Sequence, residues 1–381
     1  MYFVIGADIV PTKSNIHLFA NGNGDELVGA ELKSVLYHSS FNIFNLETPL
    51  VDNESRIIKE GPNLIASTLS INGYKDLSIN LLTLANNHIM DQGRMGLDST
   101  VNTLKKHGIS YLGTGTNLKE ASRPFLFDFD GKKIGVYACV EHEFSVAEEA
   151  TPGANPFDPL YSFDHIAELK NRSDYVVVLY HGGKEQYRYP SPLLQKTCHK
   201  FIEKGADLVI CQHSHCIGCE EKYLRGTIVY GQGNFLFDDS DNDYWKTGLL
   251  VKVNNELTVS YLPIVKTGNG VRIADPIRGA EIMDNFVLRS NEIKEPGFIE
   301  KKYRSFADSF LFFYLQALSG RRSLVFRIFN KLSKGAFMNW YLRRTYQNKN
   351  KVRIANYIDC EAHRELLSQA LADAYREREK L

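Results

Sequence analysis

The sequence predicts an α/β fold over residues 1–296, followed by an all-helical appendage over 297–381. Two observations carry this reading. Short apolar runs alternate with helix-period stretches through the first part, as they do where strands and helices succeed one another along a chain. The charge balance then changes abruptly. Residues 1–296 hold 28 Lys and Arg against 37 Asp and Glu, whereas 297–354 hold 13 against 2. That shift places a domain boundary near Pro296-Gly297. The whole chain has 381 residues, no net charge and a 43% hydrophobic content. It is long enough for a full buried core, too apolar to be disordered, and with six cysteines too poor in them to be a disulfide scaffold.

The predicted strands are Tyr2–Ile5, Ile43–Leu46, Leu81–Ala85, Ile134–Cys139, Tyr175–Tyr180, Leu208–Cys211 and Thr227–Tyr230. Each is a short apolar run of the kind a buried sheet needs. Gly248–Val253 and Leu257–Leu262 form a hairpin around Asn254-Asn255. Gly93–His107 and Pro192–Lys204 have helical spacing. Beyond 297, Leu324, Ile328 and Leu332 recur at intervals of four, and Leu366, Leu367, Ala370, Leu371 and Ala374 repeat the pattern. No stretch approaches the roughly 18 apolar residues of a spanning helix. Met1 runs into the first strand without a basic, apolar leader, so the expectation is a cytoplasmic chain with reduced cysteines.

The residues just past each buried run are chemically informative. Asp8, Glu47, Asn87 with His88, His181, and His213 with His215 all stand beyond predicted strand ends. Open α/β sheets collect ligands outside those ends. Carboxylates, an amide oxygen and imidazoles together make the mixed O/N donor set of a divalent transition metal such as Mn, Fe or Zn. Six of these donors suffice for one ion, or for two sharing a carboxylate. In the His213-Ser214-His215 triplet, an extended chain would turn both imidazoles the same way.

The spacings resemble the CapA family of bacterial capsule and poly-γ-glutamate synthesis proteins. The matching segments are Asn45-Leu46-Glu47-Thr48-Pro49-Leu50, Ala85-Asn86-Asn87-His88-Ile89-Met90-Asp91-Gln92-Gly93, Leu112-Gly113-Thr114-Gly115, His181-Gly182-Gly183-Lys184-Glu185, His213-Ser214-His215 and Tyr230-Gly231-Gln232-Gly233-Asn234-Phe235. Their order holds from about residue 3 to 265; residues 297–381 add nothing to the likeness. The resemblance implies a metallophosphoesterase-like α/β/β/α sandwich. It also implies that Asp8, Glu47 and His215 serve one metal, and that Glu47, Asn87, His181 and His213 serve a second, with Glu47 bridging. His88 is then the general acid. One position departs from the wider phosphoesterase pattern: the Asp-x-His start reads Asp8-Ile9-Val10. Val10 cannot ligate, so the expected count is one or two ions. Thr12 and Asn15 are oxygen-bearing neighbours, read as loop residues.

Asp91 either orients His88 or caps the following helix. Lys59, Lys184 and Glu185, with His142 after Ile134–Cys139 and Asn234, are candidate substrate contacts. The resulting expectation is a metal-dependent hydrolase or transferase in capsule or poly-γ-glutamate assembly. It would act on an anionic polymer or on a phosphorylated or glutamyl small substrate, within a capsule-synthesis complex. The alternative is a non-catalytic scaffold subunit of that complex, which Val10 favours. Cys216-Ile217-Gly218-Cys219 has no second CxxC and reads as structural thiols. The basic 297–354 block lacks a nucleic-acid motif. Its aromatics fall at helical core spacings, and it fits either a helical subdomain packed on residues 1–296, its arginines facing their net negative charge, or a peripheral contact with the inner face of a membrane.

Overall fold

The computed structural model describes residues 1–238, 242–319 and 324–376. Arg321 and Arg322 of the basic block lie outside the described residues, as do the side chains of Leu324, Val325, Arg327 and Ala374. The chain divides into two compact units, Met1–Ile299 and a second from Glu300 onward.

The first unit is built on two sheets. In one, Tyr2–Ile9 is central and pairs in parallel with Asn42–Leu46, which continues through Leu81–Thr83 to Ser110–Leu112. On its other side Tyr2–Ile9 meets Thr247–Asn254, extended antiparallel by Val259–Thr267 and Gly270–Ile273. Asn234–Leu236 joins beside Asp8 and Ile9. The second sheet runs Glu220–Tyr223, Gly226–Tyr230, Leu208–Gln212, Tyr175–His181, Lys132–Val140, Phe125–Phe129.

The side chains show that the two sheets face each other. Val177 and Leu179 join one hydrophobic cluster with Ile5, Ile43 and Leu82 of the first sheet. Their neighbours Val176, Val178 and Tyr180 join another, with Leu169 of helix Ser162–Lys170 and Phe201 of helix Pro192–Glu203. Alternation along the strand therefore sends one set inward and the next out to the helices. The result is the expected α/β/β/α sandwich. A strand covered on both faces can be apolar throughout, and Tyr175–His181 is buried at every position. Two amides sew the sheets together near their carboxyl ends: Gln212 donates to the Gly6 carbonyl at 3.1 Å and Gln232 to that of Ile5 at 3.0 Å. Gly6 itself is demanded by packing, because a Cβ there would sit 1.9 Å from the Phe44 ring.

The second unit is helical, as the spacing predicts: Leu324–Leu332, Ala336–Thr345, Asn348–Asp359 and Glu361–Arg376 follow the long helix Phe298–Leu318. Its buried cluster is small, made of Leu315, Met338 and Leu342. Ile328, Leu332, Leu366, Leu367 and Leu371, which recur at helical spacing, are exposed. Among the described residues, no helix is long and apolar enough to cross a membrane.

Candidate metal centre

The parallel strands of both sheets deliver their carboxyl ends to one place. Asp8 lies near the end of Tyr2–Ile9, and Glu47 immediately follows Asn42–Leu46. His181 closes Tyr175–His181, and His213 immediately follows Leu208–Gln212. Asp8 and Glu47 are fully buried, and Asn87, His181, His213 and His215 nearly so. The ligand-capable atoms of Glu47, His213 and His215 all lie within 4.8 Å of one another. His181 Nε2 is 3.0 Å from Asn87 Oδ1, 3.2 Å from Glu47 Oε1 and 3.2 Å from His213 Nδ1. Asp8 Oδ2 stands 3.5 Å from His215 Nδ1. The structure thus brings together all six residues that the sequence pattern points to as ligands.

Extended-chain geometry is not what unites His213 and His215. Both have left-handed backbones, with φ of 79° and 50°. Such conformations are costly for residues with a Cβ and concentrate at functional sites. The chain leaves its strand through these turns, and the two imidazole rings end 5.9 Å apart.

Asn45 is the organising residue that sequence reasoning missed. Its Oδ1 accepts from Thr83 Oγ1 and Asn86 Nδ2, both at 3.0 Å. That fixes its amide so that Nδ2 donates to Asp8 Oδ1 at 2.8 Å and faces His181 Nδ1 at 3.3 Å. The signal was its position two residues before Glu47. Asn234 accepts from His215 Nδ1 at 2.8 Å, which leaves Nε2 of that ring as the free donor atom. Trp245 lies against the His215 ring at 4.6 Å, a loop contact that no sequence pattern announced.

Three buried carboxylate oxygens, Asp8 Oδ2 and both of Glu47, have no hydrogen-bond donor; Glu47 Oε1 is near His181 Nε2 but not aligned for a bond. Unsatisfied buried oxygens are rare because each forfeits its hydration. The protonation pattern reflects this crowding. Burial pushes the Glu47 carboxyl up, helped by Asp8, to about 8. Burial opposes ionisation of Asp8 too, but His215, His181 and Asn45 hold it below the usual range. Burial would lower His215, yet Glu47 and Asp8 carry it to about 9. Burial takes His181 down to about 4, and burial with the other two imidazoles takes His213 well below its usual value. Two neutral imidazoles, buried carboxylates lacking donors and an amide oxygen fit a divalent transition metal.

Beside this cluster, His88 Nδ1 is 2.6 Å from Asp91 Oδ2. Asp91 Oδ1 pairs with Lys59 Nζ at 2.5 Å, and Oδ2 also accepts from the Leu64 N–H at 2.6 Å. Asp91 therefore does not cap helix Gly93–Lys106, whose N-cap residue, Gln92, makes no side-chain cap. Lys59 is drawn in with it, its side chain only 2% exposed.

The remaining candidates lie outside the buried cluster, although the Glu185 charge acts on Glu47 and His213. Lys184 and Glu185 are exposed on the loop after His181, and His142 is exposed on the loop after Lys132–Val140. Val10 is buried, and its N–H bonds the Leu236 carbonyl. Asn15 accepts from the Thr12 N–H and donates to the Asn269 carbonyl at 3.3 Å, and the Thr12 hydroxyl bonds Asp238, so both hold their loop to neighbouring loops. Cys216 and Cys219 are free and buried. Burial raises both thiols, Cys216 to about 11, which suits inert packing residues.

The fold and cluster define a class: a four-layer sandwich whose two sheets converge on a buried carboxylate–imidazole–amide centre at their strand ends. Residues 4–239 match the family described as bacterial capsule synthesis protein PGA_cap, and the chain belongs to that family. It is similar to the capsule biosynthesis protein CapA of Bacillus anthracis, 27% identical over 227 residues, covering 57% of this chain and 55% of the relative. It is also similar to the PGA biosynthesis protein CapA of Bacillus subtilis, 28% identical over 220 residues, covering 56% and 58%. The chain thus spans a little over half the length of these curated relatives. Among solved structures, a phosphatase from Mycoplasma pneumoniae aligns with a TM-score of 0.43 at 17% identity, covering 74% of this chain and 96% of that one. A 5'-nucleotidase precursor from Thermus thermophilus aligns at 0.40 and 13%, covering 76% and 58%.

Proposed function

We propose that residues 1–299 form a metal-dependent hydrolase or transferase acting in capsule or poly-γ-glutamate assembly, on a phosphoester, amide or γ-glutamyl bond. The observation that carries this reading is the set of three donor-less carboxylate oxygens buried among His181, His213 and His215. Asp8, Glu47, Asn87, His181, His213 and His215 are the residues that would hold one or two divalent ions. When bound, a divalent transition metal supplies Lewis acidity toward a phosphoryl or acyl oxygen and acidifies water.

The chain's own part in the chemistry centres on His88. Its Nδ1–H donates to Asp91 Oδ2, leaving Nε2 to carry the proton that a leaving group needs. His88 stands beside the cluster, close enough for its charge to bear on Glu47 and His181. Asp91 fixes the ring and stabilises the imidazolium, and Lys59 fixes Asp91. Lys184, exposed on the loop after His181, is in reach of solvent for contact with an anionic substrate, and its neighbour Glu185 could meet only a neutral or cationic part of it, whereas Asn234 acts through His215. The scaffold reading rests on Val10, which removes one imidazole from the wider pattern.

A panel of phosphomonoester, phosphodiester and γ-glutamyl substrates, tested with Mn, Fe and Zn against chelated protein, separates the two readings. Metal-dependent turnover of one class, lost in His88→Ala, is the expected result. Absence of turnover with every class and metal, from protein that retains its metal, would leave the scaffold reading in place.

A further inference from the structure

The helical unit carries more apolar surface than its core absorbs. Leu315, Met338 and Leu342 are its buried cluster, while Phe329 is 54% exposed, Leu332 77% and Trp340 57%. These are not scattered residues. Phe329 and Trp340 both pack on Phe337, with ring centroids 5.6 and 6.1 Å apart. Ile328, exposed as well, shares a face with Leu332 at a spacing of four. Single exposed apolar side chains need no explanation, but a contiguous patch does. Cations border it. Arg344 lies over the Trp340 ring at 6.0 Å, Lys331 and Arg343 are exposed, and the whole 297–354 segment has 13 basic residues against 2 acidic.

We propose that this surface docks peripherally on an anionic lipid bilayer. Its aromatic and aliphatic side chains enter the headgroup–acyl boundary, and its lysines and arginines meet the lipid phosphates. The sign of the charge selects an anionic partner. Tryptophan beside arginine is a combination suited to the interfacial layer, where one end of the ring is apolar and the other wet. A nucleic acid would share the electrostatic attraction and stack on the rings. It offers nothing, however, to Ile328 and Leu332, which only an apolar medium takes in. The helices lie on the surface rather than span it, because none of the described helices is long and apolar enough to cross.

The test is flotation of the full chain with vesicles of phosphatidylcholine alone or mixed with phosphatidylglycerol, at low and high salt. The expected result is flotation with the anionic vesicles only, weakened by salt. The triple substitution Phe329→Ser, Leu332→Ser and Trp340→Ser should lower partitioning by at least about tenfold, and Lys331→Glu with Arg344→Glu should abolish the preference for phosphatidylglycerol. Circular dichroism checks that the variants keep their helices, and the charge-reversal pair carries the test if the apolar triple does not. A full chain that stays in the soluble fraction with anionic vesicles at low salt overturns the proposal. So does flotation that is indifferent to both sets of substitutions, or binding to single-stranded nucleic acid that outcompetes the vesicles.

Discussion

Asp91→Asn is the substitution that most sharply probes how the site is supported. Asp91 is fully buried and joins three partners: Lys59 Nζ at 2.5 Å, His88 Nδ1 at 2.6 Å and the Leu64 N–H at 2.6 Å. An amide of the same shape keeps the Leu64 contact through its oxygen but removes the charge. The Lys59 ammonium, whose side chain is 2% exposed, is then buried without a counter-charge. Breaking a buried pair in this way costs about 3–5 kcal/mol. The Asn NH₂ group would take the place of Oδ1 and face the Lys59 ammonium, donor against donor, while the amide oxygen keeps both Leu64 and His88 Nδ1. Urea unfolding of the wild type, Asp91→Asn, Lys59→Met and the double variant measures the coupling. The double variant should recover a large part of the loss, because it no longer buries a lone ammonium. Nitrogen NMR shifts of His88 should move in Asp91→Asn, because its Nδ1–H then meets a neutral amide oxygen in place of a carboxylate. If Asp91→Asn is as stable as the wild type and its His88 shifts are unmoved, the buried triad of Lys59, Asp91 and His88 is not formed as described.

The same geometry predicts two further outcomes. His88→Ala should retain its metal content, measured by elemental analysis, while turnover on the responsive substrate falls about 10²–10⁴-fold, the usual range for a lost general acid. Metal affinity should rise with pH. Without an ion Glu47 holds its proton up to about pH 8 and His215 up to about 9, so below pH 8 a bound cation must displace protons. Competition with a chromophoric chelator should show tightening up to about pH 9 and a plateau above it; affinity that is flat between pH 6 and 9 would contradict the buried, proton-holding cluster.

Much of this was legible in the sequence because parallel strands covered on both faces are uninterrupted apolar runs. Val176–Tyr180 and Leu208–Cys211 announce themselves, and with them the residues just past their ends. Other features left weaker traces. Phe125, Phe127 and Phe129 alternate with less buried residues, and Asp130-Gly131, with φ of 51° and 75°, makes the tight hairpin to Lys132–Val140. Asp-Gly between alternating apolar residues is a recognised hairpin signal, but the second sheet's edge was not read from it. The left-handed turns at His213 and His215 had no such signal, since neither residue is glycine. Asn45 was hidden for a different reason: its role depends on Thr83 and Asn86 locking its amide, a contact between separate strands. In the helical unit, periodicity found the helices but not their cover. Leu366, Leu367 and Leu371 repeat at helical spacing and are exposed, because spacing identifies a shared face and not what lies against it.

Everything proposed for this site requires that the strand-end cluster hold a metal ion. Elemental analysis of the full chain, reloaded with Mn, Fe or Zn and freed of excess ion, tests it most directly alongside Glu47→Gln and His213→Ala. At least one ion per chain is expected in the wild type, and a marked loss in both variants without loss of folded structure by circular dichroism. A wild-type chain that retains well under one ion of any of the three metals, or variants that retain as much as the wild type, would contradict it.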